Sequence, residues 1–175
     1  LYFQRIAGGG RWRYFRLNTH SHNTLVLNND NQRADARAKI IQFDSNQEQP
    51  HAVIDLTEAY VFYANSVQRT IKLTGDSGVS ISDKIEGNVT LKSVQWQMLT
   101  DAEVVVKGNK ATLLRDGKKM FATLVQPSHA VFEVISAEQA EPEMPNKGYK
   151  LLCTRITQFD DLKCEIVIQF DGHDQ

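Results

Sequence analysis

From Trp12 onward, apolar and polar residues alternate with a period of two, and the apolar positions favour Val, Ile and aromatic side chains. Successive side chains of an extended strand point to opposite faces, so this alternation predicts half-buried β-strands. Gly, Asn, Asp or Pro interrupts the pattern about every ten residues, which makes the strands short and numerous. The clearest stretch carries Glu103-Val104-Val105-Val106, Ala111-Thr112-Leu113-Leu114 and Met120-Phe121-Ala122-Thr123-Leu124-Val125, separated by Gly108-Asn109 and Asp116-Gly117. Both dipeptides supply the positive φ angles of tight hairpins, so a three-stranded meander is expected. Further strands are predicted at 13–17, 23–27, 36–43, 51–55, 66–73, 79–85, 91–99, 130–135, 149–156 and 163–170.

About thirteen strands are too many for one open sheet, which would twist and leave its faces uncovered. The expected fold is therefore all-β: an antiparallel two-sheet β-sandwich, supersandwich-like. Helix is expected at most over 57–65, as one turn or else a strand. Residues 137–147, with Glu138, Glu141, Glu143, Pro142 and Pro145, read as an exposed acidic loop. No repeat of the length found in propellers or solenoids is visible.

At 175 residues and 41% hydrophobic, the chain can bury one core or two closely associated layers. Its net charge of −1, from 20 basic and 21 acidic residues, excludes a global field that would draw it onto nucleic acid or an anionic membrane. Any polyanion site must be local. No apolar run approaches the roughly 20 residues of a membrane span, and no signal-peptide pattern opens the chain. Leu1-Tyr2-Phe3-Gln4 match the end of a common tag-cleavage site and are expected to be a tag remnant, leaving one domain over 5–175. Cys153 and Cys164 allow a disulfide or two free, partly buried thiols. If Asp160-Asp161 forms a hairpin turn, Cys153 faces Ile168 and Cys164 faces Thr157, an arrangement that favours free thiols.

Two clusters carry candidate chemistry. His20 and His22 form a His-Ser-His run beside a strand. On an extended strand both imidazoles would face one side roughly 7 Å apart and address one site. Zinc in a catalytic site takes three protein ligands and a water, so the pair supplies at most two; the alternative is two partly exposed polar residues. Arg11, Arg13 and Arg16 lie among Trp12, Tyr14 and Phe15. Guanidinium forks bind carboxylate and sulfate bidentately, and aromatic rings stack on sugar faces, which suits an acidic glycan. The alternative is that the aromatics enter the core and the arginines project to solvent. Gly8-Gly9-Gly10 lacks the strand and helix of a nucleotide loop, and Ser21, His20 and Asp30 lack a nucleophile elbow.

Across Arg11-Trp12-Arg13-Tyr14-Phe15-Arg16-Leu17-Asn18-Thr19-His20-Ser21-His22-Asn23-Thr24-Leu25 and Asn31-Gln32, the sequence resembles heparinase II/III-like proteins. Arg69-Thr70-Ile71, Val79-Ser80-Ile81-Ser82-Asp83-Lys84-Ile85-Glu86-Gly87 and Trp96 fit the pattern further along. The resemblance implies the C-terminal β-sandwich of a two-part lyase whose N-terminal α/α toroid carries most catalytic side chains. Such enzymes cleave uronic-acid polysaccharides by β-elimination. The uronate C5 proton leaves while its carboxylate is neutralised, and a tyrosine or histidine protonates the departing glycosidic oxygen.

In metal-containing relatives the histidine of His-Asn-Thr joins an upstream histidine and aspartate on zinc. The resemblance therefore implies His22 as a metal ligand, with His20 lining the cleft or simply polar. It puts Arg11, Arg13 and Arg16 near the substrate or against the toroid. The remaining ligands and proton-transfer groups are expected upstream of Arg11, so the chain alone is expected to be inactive and metal-free, with zinc in the full-length parent. Expected partners are an acidic polysaccharide and the toroid, with no nucleic acid and with homo-oligomerisation left open. The expected location is periplasmic or secreted. The runner-up is a non-catalytic carbohydrate-binding or structural sandwich; a protein-interaction module recruiting through edge strands comes third. All of this requires the His22 ring to project from a sheet rim toward a cleft.

Overall fold

A computed structural model describes residues 10–45 and 50–172, and over these the chain forms twelve strands and four short 3₁₀ turns. Two antiparallel sheets result, as the alternation predicts. The smaller runs in the order β1 (Leu25–Leu27), β6 (Val94–Thr100), β11 (Lys150–Ile156), β10 (Glu133–Ser136). The larger runs β2 (Lys39–Asp44), β3 (His51–Asp55), β4 (Ala64–Thr74), β5 (Gly78–Gly87), β12 (Lys163–Asp171), β9 (Lys118–Gln126), β8 (Lys110–Arg115), β7 (Glu103–Lys107). Among the described residues no helix is long and apolar enough to cross a membrane.

The expected meander is β7-β8-β9, with Lys107 opposite Lys110 and Arg115 opposite Lys118. Its loops take positive φ at Gly108, Asp116 and Gly117, the last two at 50° and 73°, as a two-residue turn matched to strand twist requires. Between the sheets, Leu25, Leu27, Val94, Trp96 and Leu152 of the small sheet meet Val67, Ile85, Leu124, Ile166 and Ile168 of the large one, all buried. Each such side chain contributes roughly 1.5–3 kcal/mol on removal from water. Trp96 fills the middle, its ring 6.4 Å from Phe132 and 6.3 Å from Phe170.

A bidentate ion pair lies on the inner face of the large sheet, and its arginine also reaches the chain that leads into the small one. Arg69 on β4 donates to both carboxylate oxygens of Asp83 on β5, at 2.7 and 2.8 Å, and its Nη1 donates to the Asn23 carbonyl at 2.9 Å. Asp83 is fully buried. A carboxylate in that position persists only because the guanidinium satisfies it.

Two expectations are overturned. Residues 13–17 are not a strand: Gly10–Arg13, Phe15–Leu17 and Thr19–Ser21 are 3₁₀ turns. Leu17 and Asn18 amides return to the Tyr14 carbonyl, and the Asn18 side chain caps the last turn by accepting from the His20 amide at 2.9 Å. Tyr14 is extended between the first two turns, and Arg13 and Arg16 on either side of it are both exposed; over so few residues the same order of polar and apolar residues suits either period. The second is the hairpin at Asp160-Asp161. β11 and β12 belong to different sheets, so the connection crosses the sandwich instead of folding back. A tight turn does form, with Asp161 and Leu162 at positive φ, but it closes only on Lys163. Cys153 therefore faces Gln97 and Glu133, and Cys164 faces Ile85. Both thiols are free and buried, as expected, but because they lie on different sheets. The 57–65 segment holds both alternatives, a 3₁₀ turn at Thr57–Tyr60 and then the start of β4.

Candidate functional site

Residues on β6 alternate between the two faces of the small sheet. Val94 and Trp96 enter the core, so Gln95 and Gln97 point to the opposite face, together with Val26 and Cys153 opposite them in register. That face is buried too, because the chain preceding β1 lies across it. Gln97 Nε2 donates to the carbonyls of Thr19 and His22, both at 3.0 Å. The Phe15 amide reaches the Glu143 carboxylate of the acidic loop at 2.7 Å. The Glu143 contact satisfies a backbone amide of the turns, and Gln97 adds a second donor to carbonyls that already accept from the His22 and Thr24 amides.

After β1 the chain reverses through Asn28 and Asn29, both at positive φ. Asparagine tolerates this conformation, and Asn28 secures the turn by accepting from the Lys92 and Ser93 amides. The reversal brings Asn31 and Gln32 back alongside the 3₁₀ turns. Asn31 accepts from the Thr19 amide at 3.0 Å, and the Gln32 amide donates to Thr19 Oγ1 at 2.8 Å. Gln32 Nε2 continues to the Tyr60 hydroxyl at 2.8 Å, which donates to the Leu25 carbonyl at 2.7 Å. Burial pushes the Tyr60 hydroxyl up to about 12, against the pull of its hydrogen bonds from Thr24 and Gln32. Tyr60 is thus neutral at ordinary pH, a strut whose proton is directed at the Leu25 carbonyl.

These clamps enclose a cleft of about 620 Å³ whose walls include Trp12, Asp30, Asn31, Arg33 and Phe62. Trp12, Asn31, Gln32, Arg33 and Ala34 are shared with an adjoining recess of about 170 Å³, which His22 also lines. His22 is exposed and follows the Thr19–Ser21 turn in extended conformation, with φ −109° and ψ 154°. Its ring is therefore on a rim beside a cleft and outside the hydrophobic interior. His20 lies inside the turn and half-buried, so the two imidazoles do not share one face of a strand. Burial lowers the His20 pKa, and the charge of Asp30 opposes that shift. Asp30 also accepts from the Tyr63 hydroxyl at 2.6 Å.

Of the three predicted arginines, Arg11 places its guanidinium over the Trp12 ring at 5.1 Å, behind an aromatic wall of the cleft. Arg13 and Arg16 are exposed on the 3₁₀ turns. Sequence reasoning missed Arg33, which lines both the cleft and the recess and pairs bidentately with Asp35 at 2.8 and 3.2 Å. It also missed Phe62. The signal for Arg33 was its place directly after Asn31-Gln32; nothing local marked Phe62, which arrives from the segment before β4. Aromatic walls with a few convergent amide and guanidinium groups are a common lining of ligand-binding clefts.

Among the described residues no three or more His, Cys, Asp and Glu side chains stand close enough to hold a metal. His22 by itself would supply one of the three protein ligands that a catalytic zinc takes.

The fold has known counterparts. The chain superposes on the heparan sulfate lyase HepC of Pedobacter heparinus with a TM-score of 0.72 at 15% identity, covering 95% of this chain and 26% of that one. A heparinase III structure gives 0.70 at 14% identity, covering 94% and 26%. A second heparinase III structure gives 0.72 at 14% identity, covering 95% and 26%. The chain thus spans about a quarter of the length of these structures. None of the curated proteins matches the sequence closely enough to count as a relative. The profile of the Heparinase II/III-like, C-terminal family matches residues 3–175, and the chain belongs to that family.

Proposed function

We propose that this chain is the C-terminal β-sandwich of a polysaccharide lyase acting on a uronic-acid polymer of the heparan sulfate kind by β-elimination. The observation that carries the proposal is His22, held exposed on a rim where its recess meets the aromatic-walled cleft. Family membership and the shared fold support it.

In this reading the domain supplies one wall of the substrate cleft. Trp12 and Phe62 stack on sugar rings, the exposed Arg13 and Arg16 attract carboxylate and sulfate groups, Arg33 is held against the wall by Asp35, and Arg11 backs the Trp12 ring. Proton abstraction at C5 and neutralisation of the uronate carboxylate fall to an N-terminal α/α toroid, which this chain does not span. The chain by itself forms no product. His22 is also the residue this domain would lend to a zinc ion in the parent enzyme, with the other ligands coming from outside it. Acidic polysaccharides of this kind lie outside the cytoplasm, which argues for a periplasmic or secreted parent.

The test is the parent enzyme assayed on heparan sulfate for the ultraviolet-absorbing unsaturated product. His22→Ala should abolish product while circular dichroism and melting stay unchanged. Full activity in that variant would leave the domain a carbohydrate-binding or structural role. Calorimetric titration of the isolated chain with heparan sulfate oligosaccharides, with and without Trp12→Ala, then reads sugar binding directly.

A further inference from the structure

A line of polar side chains runs beneath the His22 segment from the far margin of the small sheet. Arg155 on β11 donates from Nε and Nη2 to Gln95 Oε1, at 3.3 and 2.7 Å. Gln95 Nε2 donates to Gln97 Oε1 at 2.9 Å. Gln97 Nε2 ends the line on the Thr19 and His22 carbonyls. Gln97 is fully buried, Gln95 nearly so, and Arg155 is exposed.

The direction of this line is set by its ends. A guanidinium can only donate, and a backbone carbonyl can only accept. Each glutamine between them must therefore turn its oxygen toward Arg155 and its nitrogen toward the His22 segment. Reversing either amide would put two acceptors in contact at one link and two donors at the other. In a buried setting each mismatch costs about as much as a lost hydrogen bond to a desolvated group.

We propose that Arg155, Gln95 and Gln97 form a directional relay that positions the His22 segment at the cleft, with Gln97 the positioning residue and Arg155 the group that sets the relay's polarity. The inference rests on the reading of His22 as a cleft residue. Gln95 and Gln97 orient backbone carbonyls and touch no substrate.

The relay predicts that a change at an exposed position, three hydrogen bonds away, reaches the His22 segment. Arg155→Glu makes both ends of the line acceptor-only, so no orientation of the two amides satisfies every link, and a relay held by its exposed end turns Gln97's oxygen toward the two carbonyls. Arg155→Lys keeps the donor and should preserve the relay. Amide hydrogen exchange of this chain should show the His22 and Thr24 amides, which donate to the Thr19 and His22 carbonyls, exchanging at least about tenfold faster in Arg155→Glu. In Arg155→Lys they should stay within about twofold of the parent chain, and the β7-β8 amides should be unchanged in both. Unchanged exchange in Arg155→Glu, or equal acceleration in both variants, overturns the relay.

The second arm uses the parent enzyme. Arg155→Glu should lower kcat by roughly 10- to 100-fold with KM little changed, as expected when a reacting group is displaced by a fraction of an ångström. Accelerated exchange with unaltered kcat, in an enzyme that His22→Ala inactivates, overturns the positioning role. Accelerated exchange with His22→Ala still fully active sinks the functional reading alone.

Discussion

The two faces of β6 hold the same chain to different standards. Val94 and Trp96 face a second sheet and are excluded from water by apolar neighbours that many hydrophobic side chains of similar volume could replace. Gln95 and Gln97, one residue away in each direction, are equally buried, yet they face 3₁₀ turns whose backbone groups need partners at fixed positions. The first face stabilises the domain through area removed from water. The second adds little net stability, since each hydrogen bond made replaces one to water, but it fixes where His22 stands. The comparison teaches that burial alone does not reveal what a residue is for; the chemistry of what covers it does.

The largest effect should come from the buried ion pair of Arg69 and Asp83 on the inner face of the large sheet. Arg69→Met leaves the Asp83 carboxylate buried without a partner and releases the Asn23 carbonyl, so denaturant unfolding should show a loss of about 3–5 kcal/mol. A loss under about 1 kcal/mol would mean that the pair is dispensable to the inner face. Next, Leu152→Ala removes a fully buried side chain from the inner face and should cost about 2–5 kcal/mol without moving the exchange of the His22 amide.

Gln97→Leu on the outer face should cost less, roughly 1–3 kcal/mol, yet should shift the resonances of Thr19 to Thr24, which Leu152→Ala leaves in place. A uniform response of the spectrum to both substitutions would erase the contrast between the faces. The buried groups predict a pH signature as well. The ordinary tyrosine value is 10 and that of Tyr60 is about 12 in the fold, so its share of stability is complete below pH 10 and is lost as pH rises through 12. Absorbance at alkaline pH should show a tyrosine that ionises only near pH 12 and is lost from that range in Tyr60→Phe. Burial likewise pushes the Cys153 and Cys164 thiols up to about 11 and about 12, so neither should react with a thiol reagent at neutral pH until the chain unfolds.

The smallest effect is expected at β2, an edge strand that leaves Ile40 67% and Phe43 70% exposed. Phe43→Lys should change stability by no more than about 0.5 kcal/mol.

Much of the architecture was legible in the sequence. Period-two alternation located the strands of both sheets, and His51–Asp55 fell on its predicted limits, because a strand buried on one face writes that face into every second residue. The Asp116-Gly117 turn was legible for a similarly local reason, as few residues other than Gly, Asn and Asp adopt its dihedral angles. Of the candidate site, the motif drew attention to His22, but not to the recess that it lines. The run 13–17 was not legible, since five residues do not separate a strand from 3₁₀ turns when no partner strand is specified nearby.

Other features depended on contacts between residues far apart in the chain. Whether β11 pairs with β12 or with β6 is a competition between two nonlocal ladders, and nothing at Asp160-Asp161 announces that the chain will cross to the other sheet. Gln95 and Gln97 read locally as the solvent face of an amphipathic strand. Only the 3₁₀ turns lying over them convert that face into a buried polar layer. Phe62 and Arg33 reach one cleft because Tyr60 and Gln32 meet through a hydrogen bond 28 residues apart in sequence. The sequence by itself determined the secondary-structure period, the turn chemistry and the presence of an apolar core, all of which follow from a residue and its near neighbours. Tertiary structure alone decided which buried face is oily and which is hydrogen-bonded, because that depends on what distant segment arrives to cover it.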